Sequence, residues 1–320
     1  MGSIFTISIL QSALELGCIY ALVALALFIS FTILNIADLS TDGCFTLGCA
    51  VCAMVTMAGH PVLGLLAAIG AGICSGFVTA FLQTRMGVES ILAGIIVNTG
   101  LYTINIAVMG FASNVNLFSC DTIFTMAKEA FGGTWYKLVL ILGIVLVVGI
   151  VVTFFLNTKL GLSIRATGDN VDMVRASSIN PAFTITVGLC LANSLTGLAG
   201  CLLAQYQNSC DINIGTGMVT IALASLIIGE SIIGKGSMLK RVAGVILGSC
   251  LYRFIVAVAL RLNVPAECLK LVSAVIVAVA IAFPYLKKQA QFYRQKREAR
   301  AENQAYIKEM IEKEKMGGEA

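Results

Sequence analysis

Long apolar runs alternate with short polar breaks along this chain. The first run covers residues 4–36 and is interrupted by Glu15. Its span proper is predicted at 16–34, with a short lead-in helix lying at the membrane interface. The polar break Asn35-Ile-Ala-Asp38-Leu-Ser-Thr-Asp42-Gly43 precedes runs at 44–58 and 62–82. Further runs follow at 91–109, 138–156, 183–204, 219–228, 242–260 and 269–283. Stretches near 20 residues long cross roughly 30 Å of hydrocarbon as helices. The pattern therefore predicts an all-α, polytopic integral membrane protein with about nine transmembrane helices, or ten if the first run divides. The first run is too long for a cleavable signal peptide, and no small-residue cleavage site follows it. A transmembrane domain is expected over 1–286. It contains one long polar segment at 158–181, and a charged helix or tail follows at 287–320.

Basic residues orient the spans, because lysines and arginines stay on the cytoplasmic side. They gather at Lys159, Arg165 and Arg175, at Lys235, Lys240 and Arg241, and in a tail holding Lys287, Lys288, Arg294, Lys296, Arg297 and Arg300. Arg85 falls on the same side. The C-terminus is then cytoplasmic and the N-terminus outside. Residues 110–135 and 205–217 face out with Cys120 and Cys210, and a disulfide between those two is left open.

Composition agrees with this class. Of 320 residues, 58% are hydrophobic and 12% charged, against about 25% charged in soluble domains. The net charge of +4 sits in loops and tail rather than on one face, so nucleic acid is not an expected partner. Most of the 11 cysteines lie in apolar runs, where they act as small hydrophobes. Cys49 and Cys52 form only half of a metal-binding pattern, and neither a metal nor a cofactor is expected.

The segment 158–181 is several times longer than the median connection of about 4–6 residues. Gly161 and Gly168 permit turns, and Asp169 or Asn170 is a suitable N-cap for a helix over 171–178. Asn180-Pro181 stops that helix and opens the next span. Ile164, Met173, Val174 and Ile179 keep one face apolar. A short helix–turn–helix on the membrane surface is the expected shape, with a plain hydrophilic connector as the alternative.

Polar residues inside spans face the protein interior or a watery path, because hydrocarbon offers them no partner. Asn98, Tyr102 and Asn105 share one face of the fourth span; Asn193 and Thr196 lie in the sixth, and Ser225 in the seventh. They read either as a translocation path or as interhelical packing bonds. Apart from Glu15 near a span end, no acidic residue is expected at depth, which argues against ion coupling. Gly229-Glu-Ser-Ile-Ile-Gly234-Lys235-Gly236 approaches a phosphate-binding loop. It has glycine where Ser or Thr must hold magnesium, and it lies between two spans.

The pattern Gly161, Ile164, Arg165, Ala166, Gly168, Asn170, Ala176, Ile179 and Asn180 resembles the cytoplasmic coupling segment of ABC importer permeases of the branched-chain amino acid/ribose type. Ser178 stands where that pattern has Gly. Leu16-Gly-Cys-Ile-Tyr20-Ala-Leu and Asn193-Ser-Leu-Thr-Gly-Leu-Ala-Gly200 resemble two of its spans. Ala37-Asp-Leu-Ser-Thr-Asp-Gly-Cys-Phe-Thr-Leu-Gly48, Leu101-Tyr-Thr-Ile-Asn105 and Met109-Gly110 are similar to shorter permeases that accompany tryptophan/tyrosine-type binding proteins. The resemblance covers most of 16–285.

It implies a permease subunit without catalytic residues in a bacterial cell membrane. Two such subunits, identical or paired, would form the pore. Two cytoplasmic ATPase subunits would dock on the coupling segment, with Arg165, Gly168, Asp169, Asn170, Arg175 and Asn180 transmitting the push. An extracytoplasmic binding protein would deliver an amino acid, aromatic in the first instance. A sugar or nucleoside, or an ion-coupled carrier mechanism, are the alternatives.

Overall fold

The computed structural model describes residues 7–133, 135–234 and 236–261, together with 289–300 and isolated positions at 271, 274, 275, 278, 279, 282, 286 and 303. The chain opens with α1 (Ile7–Leu27), which runs without a break into one π-helical turn, Phe28–Ile33. Helices α2 (Thr41–Met57), α3 (Pro61–Thr84) and α4 (Ser90–Val108) follow. A short strand β1 (Asn114–Asn116) and helix α5 (Ile123–Phe131) lead into α6 (Tyr136–Leu156). Helices α7 (Lys159–Asp169) and α8 (Val171–Ala176) precede the 27-residue α9 (Pro181–Gln207). Strand β2 (Ser209–Asp211), α10 (Met218–Ile233) and α11 (Met238–Arg261) complete the order. The two strands pair antiparallel, Val115 opposite Cys210.

Among the described residues six helices are long and apolar enough to cross a membrane, namely Leu10–Ile33, α3, α4, α6, α9 and Met238–Ala259; α2 and α10 are apolar but shorter. The first span and α9 form the buried centre, whereas α3, α4, α6 and α11 leave much of their apolar surface outward. Outward side chains such as Leu66, Ile150 and Phe154 suit lipid. Lipid supplies no hydrophobic force between helices, so close backbone approach at small residues holds them together. A Cβ on Gly48 would meet Gly197, one on Gly72 the Asn193 carbonyl, and one on Gly200 the Phe45 carbonyl. These three contacts seat α2 and α3 directly on α9.

Several expectations are corrected. Among the described residues the first run is one continuous helix from Ile7 to Ile33, with no separate lead-in element and no division into two spans. Residues 110–135 hold a strand and a helix; Thr122 opens α5 through a reciprocal capping box with Thr125. Lys240 and Arg241 lie in the first turn of α11, not in a loop. Arg241 bonds Glu230 at 3.1 Å and stacks on Phe28. Cys120 and Cys210 are both free thiols. Cys210, fixed in β2, points instead toward the Met109 sulfur at 4.0 Å. The expected ninth span, 269–283, falls largely outside the described residues.

A second compact unit comprises Ala278–Ala320. Its described stretch 289–300 is helical and exposed, with Arg294 Nε bonded to Glu298 Oε1 at 3.0 Å.

Candidate functional site

The polar segment folds as two helices, each started by its own cap. The Thr158 hydroxyl accepts from the Gly161 N–H at 3.3 Å and starts α7. Asn170 rather than Asp169 caps α8: its Oδ1 accepts from the N–H groups of Asp172 and Met173, both at 3.0 Å. Such a cap satisfies helix-end donors that otherwise lack partners. Asn180 Oδ1 then accepts from Ala182 N–H at 3.0 Å and opens α9, with Pro181 in the first turn.

Ile164 and Val174 tuck inward, and the Thr167 and Thr184 hydroxyls meet at 2.8 Å. Gly168 seats α7 against the end of the first helix, since a Cβ there would strike the Ile33 carbonyl. The rest of α8 is exposed, including Val171, Met173 and Arg175. Arg175 lies 3.8 Å from Asp172, both side chains in the open. Arg165 is half-buried and Asp169 exposed. Ser178 holds φ of 60°, the left-handed region where a side chain is strained and glycine is not.

The second region is a polar cleft of about 400 Å³ between the start of α2, one face of α4 and the loop before α10. It is lined by Asp42, Asn98, Tyr102, Asn105, Asn213 and Thr216 among others. Asn98, Tyr102 and Asn105 therefore come together on it. Asn193, Thr196 and Ser225 do not; each is buried in the helix core. Thr196 and Ser225 turn their hydroxyls back to the carbonyls of Ala192 and Ile221. Asn193 Nδ2 donates to Asp38 Oδ2 at 2.9 Å.

That last bond exposes what the sequence reading passed over. Asp38, Ser40 and Thr41 of this break are packed inside the protein. Asp38 is buried, and its Oδ1 accepts from the N–H and the hydroxyl of Ser40 at 2.8 and 2.6 Å. Its partner Asn193 sits near the middle of α9. Asp42 reaches across to cap α10, accepting from Gly217 N–H and Val219 N–H at 2.9 Å each. A buried Asp38 and a half-buried Asp42 thus stand among the helices, so an absence of interior carboxylates no longer argues against ion coupling. Helix α2, with 17 residues, is at the short end of what crosses a bilayer, so its length alone did not reveal this placement. Glu15 is also buried and takes bonds from Gln11 and from the Tyr206 hydroxyl. Arg253 stacks on the Tyr20 ring at 4.7 Å.

Comparison with known proteins fits these features. Residues 9–282 match the family described as Branched-chain amino acid transport system / permease component. A tyrosine transport system permease protein of Clostridioides difficile is 34% identical over 272 residues, covering 85% of this chain and 90% of that protein. A ribose import permease protein of Escherichia coli is 26% identical over 285 residues, covering 87% and 85%. No solved structure matches. With nearly the whole helical core inside the match, the chain belongs to the branched-chain amino acid transport permease family and is a multi-pass membrane permease.

Proposed function

We propose that the chain is the transmembrane subunit of an ABC importer whose cargo is an amino acid, aromatic in the first instance. Two permease subunits form the pore, and a binding protein on the outer side delivers the solute. A separate ATPase pair docks on α7 and α8 from the cytoplasm. The observation that carries this reading is the seat of Gly168 on the Ile33 carbonyl. A push on the exposed face of α8 passes through α7 to the end of the most buried helix without a flexible link. Packed helices of this kind move as bodies between two arrangements rather than deforming continuously. Arg165 and Arg175 are the groups for acidic partners on the ATPase.

The cleft supplies the solute side. Lipid tolerates no open polar groove, so the Asn98–Tyr102–Asn105 face belongs on a water-filled path. In proteoliposomes holding the assembled transporter, L-tyrosine uptake is expected to require both ATP and the ATPase. Uptake that persists without either would refute the importer reading and favour a secondary carrier. Ribose uptake in place of tyrosine, the second reading given the ribose relative, would keep the importer and change the cargo.

A further inference from the structure

The cleft is one-sided in its chemistry. No Lys, Arg or His is among its lining residues, and Asp42 is its one charged group. Hydrogen-bond acceptors collect around Gly43. Asp42 accepts from the Gly217 and Val219 N–H groups and also faces the Met218 N–H, which leaves its carboxylate capacity for a further donor. Asn105 is buried and spends its Nδ2 on the Gly43 carbonyl at 3.1 Å, and its Oδ1 has no partner. Asn98 Oδ1 lies over the same glycine, 2.6 Å from where a Cβ would stand. A buried acceptor left unmade is costly, and a donor that reaches it recovers that loss. The half-exposed Tyr102 ring borders the same wall and offers a π-face to a cation.

We propose that the cleft holds the ammonium head of the transported solute against Asp42, Asn98 and Asn105, so the permease itself favours amine-bearing cargo over anionic cargo. An ammonium brings three donors and no acceptor, which complements a wall of acceptors. A lone carboxylate or phosphate finds no cationic side chain there and meets Asp42. The proposal rests on the reading that this cleft lies on the solute path.

The test is thiol modification of the full chain in liposomes. Tyr102→Cys places a thiol in the cleft, and Phe118→Cys, at a fully open position, is the reference; the unsubstituted protein supplies the background. Reaction is followed with aminoethyl and sulfonatoethyl methanethiosulfonates. The cation-to-anion rate ratio at position 102 is expected to exceed that at 118 by about tenfold, as negative clefts focus cations. Tyramine is expected to slow modification at 102, and its deaminated analogue 3-(4-hydroxyphenyl)propionate is not. Asn105→Leu should abolish the tyramine protection. Equal ratios at the two positions, or equal protection by the two ligands, would overturn the proposal. Protection that survives Asn105→Leu would remove Asn105 from the site. If Tyr102→Cys fails to insert, Thr99→Cys on the same wall carries the same comparison. The labelling needs neither ATPase nor binding protein. Charge selectivity without ATP-driven uptake would therefore sink the importer reading alone, and uptake without selectivity would sink this site alone.

Discussion

Two polar breaks of this chain look alike in sequence and have opposite fates. Residues 158–180 stay at the surface, and most of their charge remains exposed, as at Asp169, Asp172 and Arg175. Residues 38–42 turn in among the helices, where Asp38 and Asp42 have every carboxylate oxygen bonded. The outer break is ordered by local caps a few residues apart. The inner one is ordered by partners far along the chain. A polar break in a membrane protein is thus placed by where its bonds close, not by how polar it is.

Removing the inner partner should have the largest effect. Asp38→Ala strands the Asn193 amide and the Ser40 hydroxyl in the core. We expect a loss of about 1–3 kcal/mol of stability, seen as a drop in melting temperature in detergent, while Asp38→Asn keeps more of it. An unchanged melting temperature for Asp38→Ala would erase the distinction between the two breaks. At the outer break, Gly168→Pro is expected to insert normally yet lose most ATP-driven uptake, with hydrolysis retained; normal uptake would disprove the mechanical role. Arg165→Glu should act in the same direction more weakly. Ser178→Gly relieves the left-handed strain and should raise stability by about 1 kcal/mol, read as a modest rise in melting temperature. Asp172→Ala breaks only an open ion pair and should shift stability by less than about 0.5 kcal/mol.

Much of this was legible in the sequence, for reasons specific to each element. The positions of the six long apolar helices followed from runs long enough to cross. The cap at Asp169 or Asn170 and the boundary at Asn180-Pro181 followed from side-chain chemistry acting within three residues, and the structure assigns the caps to Asn170 and Asn180. The face shared by Asn98, Tyr102 and Asn105 followed from helical spacing alone. What escaped depended on contacts at long range. Nothing near Asp38 announces Asn193, and nothing near Asp42 announces the first turn of α10. The same limit hid the placement of Asn193, which reads equally well as a pore residue and as a core one until its partner is known.

The buried break also has a consequence for how the chain is made. Asp38 is bonded to a residue 155 positions downstream, and Asp42 to one 175 positions downstream. When α2 leaves the ribosome, neither α9 nor α10 exists. Asp42 in its first turn and Asp38 just before it then lack their distant partners, so this end has no stable seat in hydrocarbon. The start of α2 must therefore wait at a wet boundary, or against an insertion factor, until the second half of the protein arrives. Final docking of the N-terminal helices is a late event in biogenesis, set by translation distance rather than by the apolarity of α2 itself.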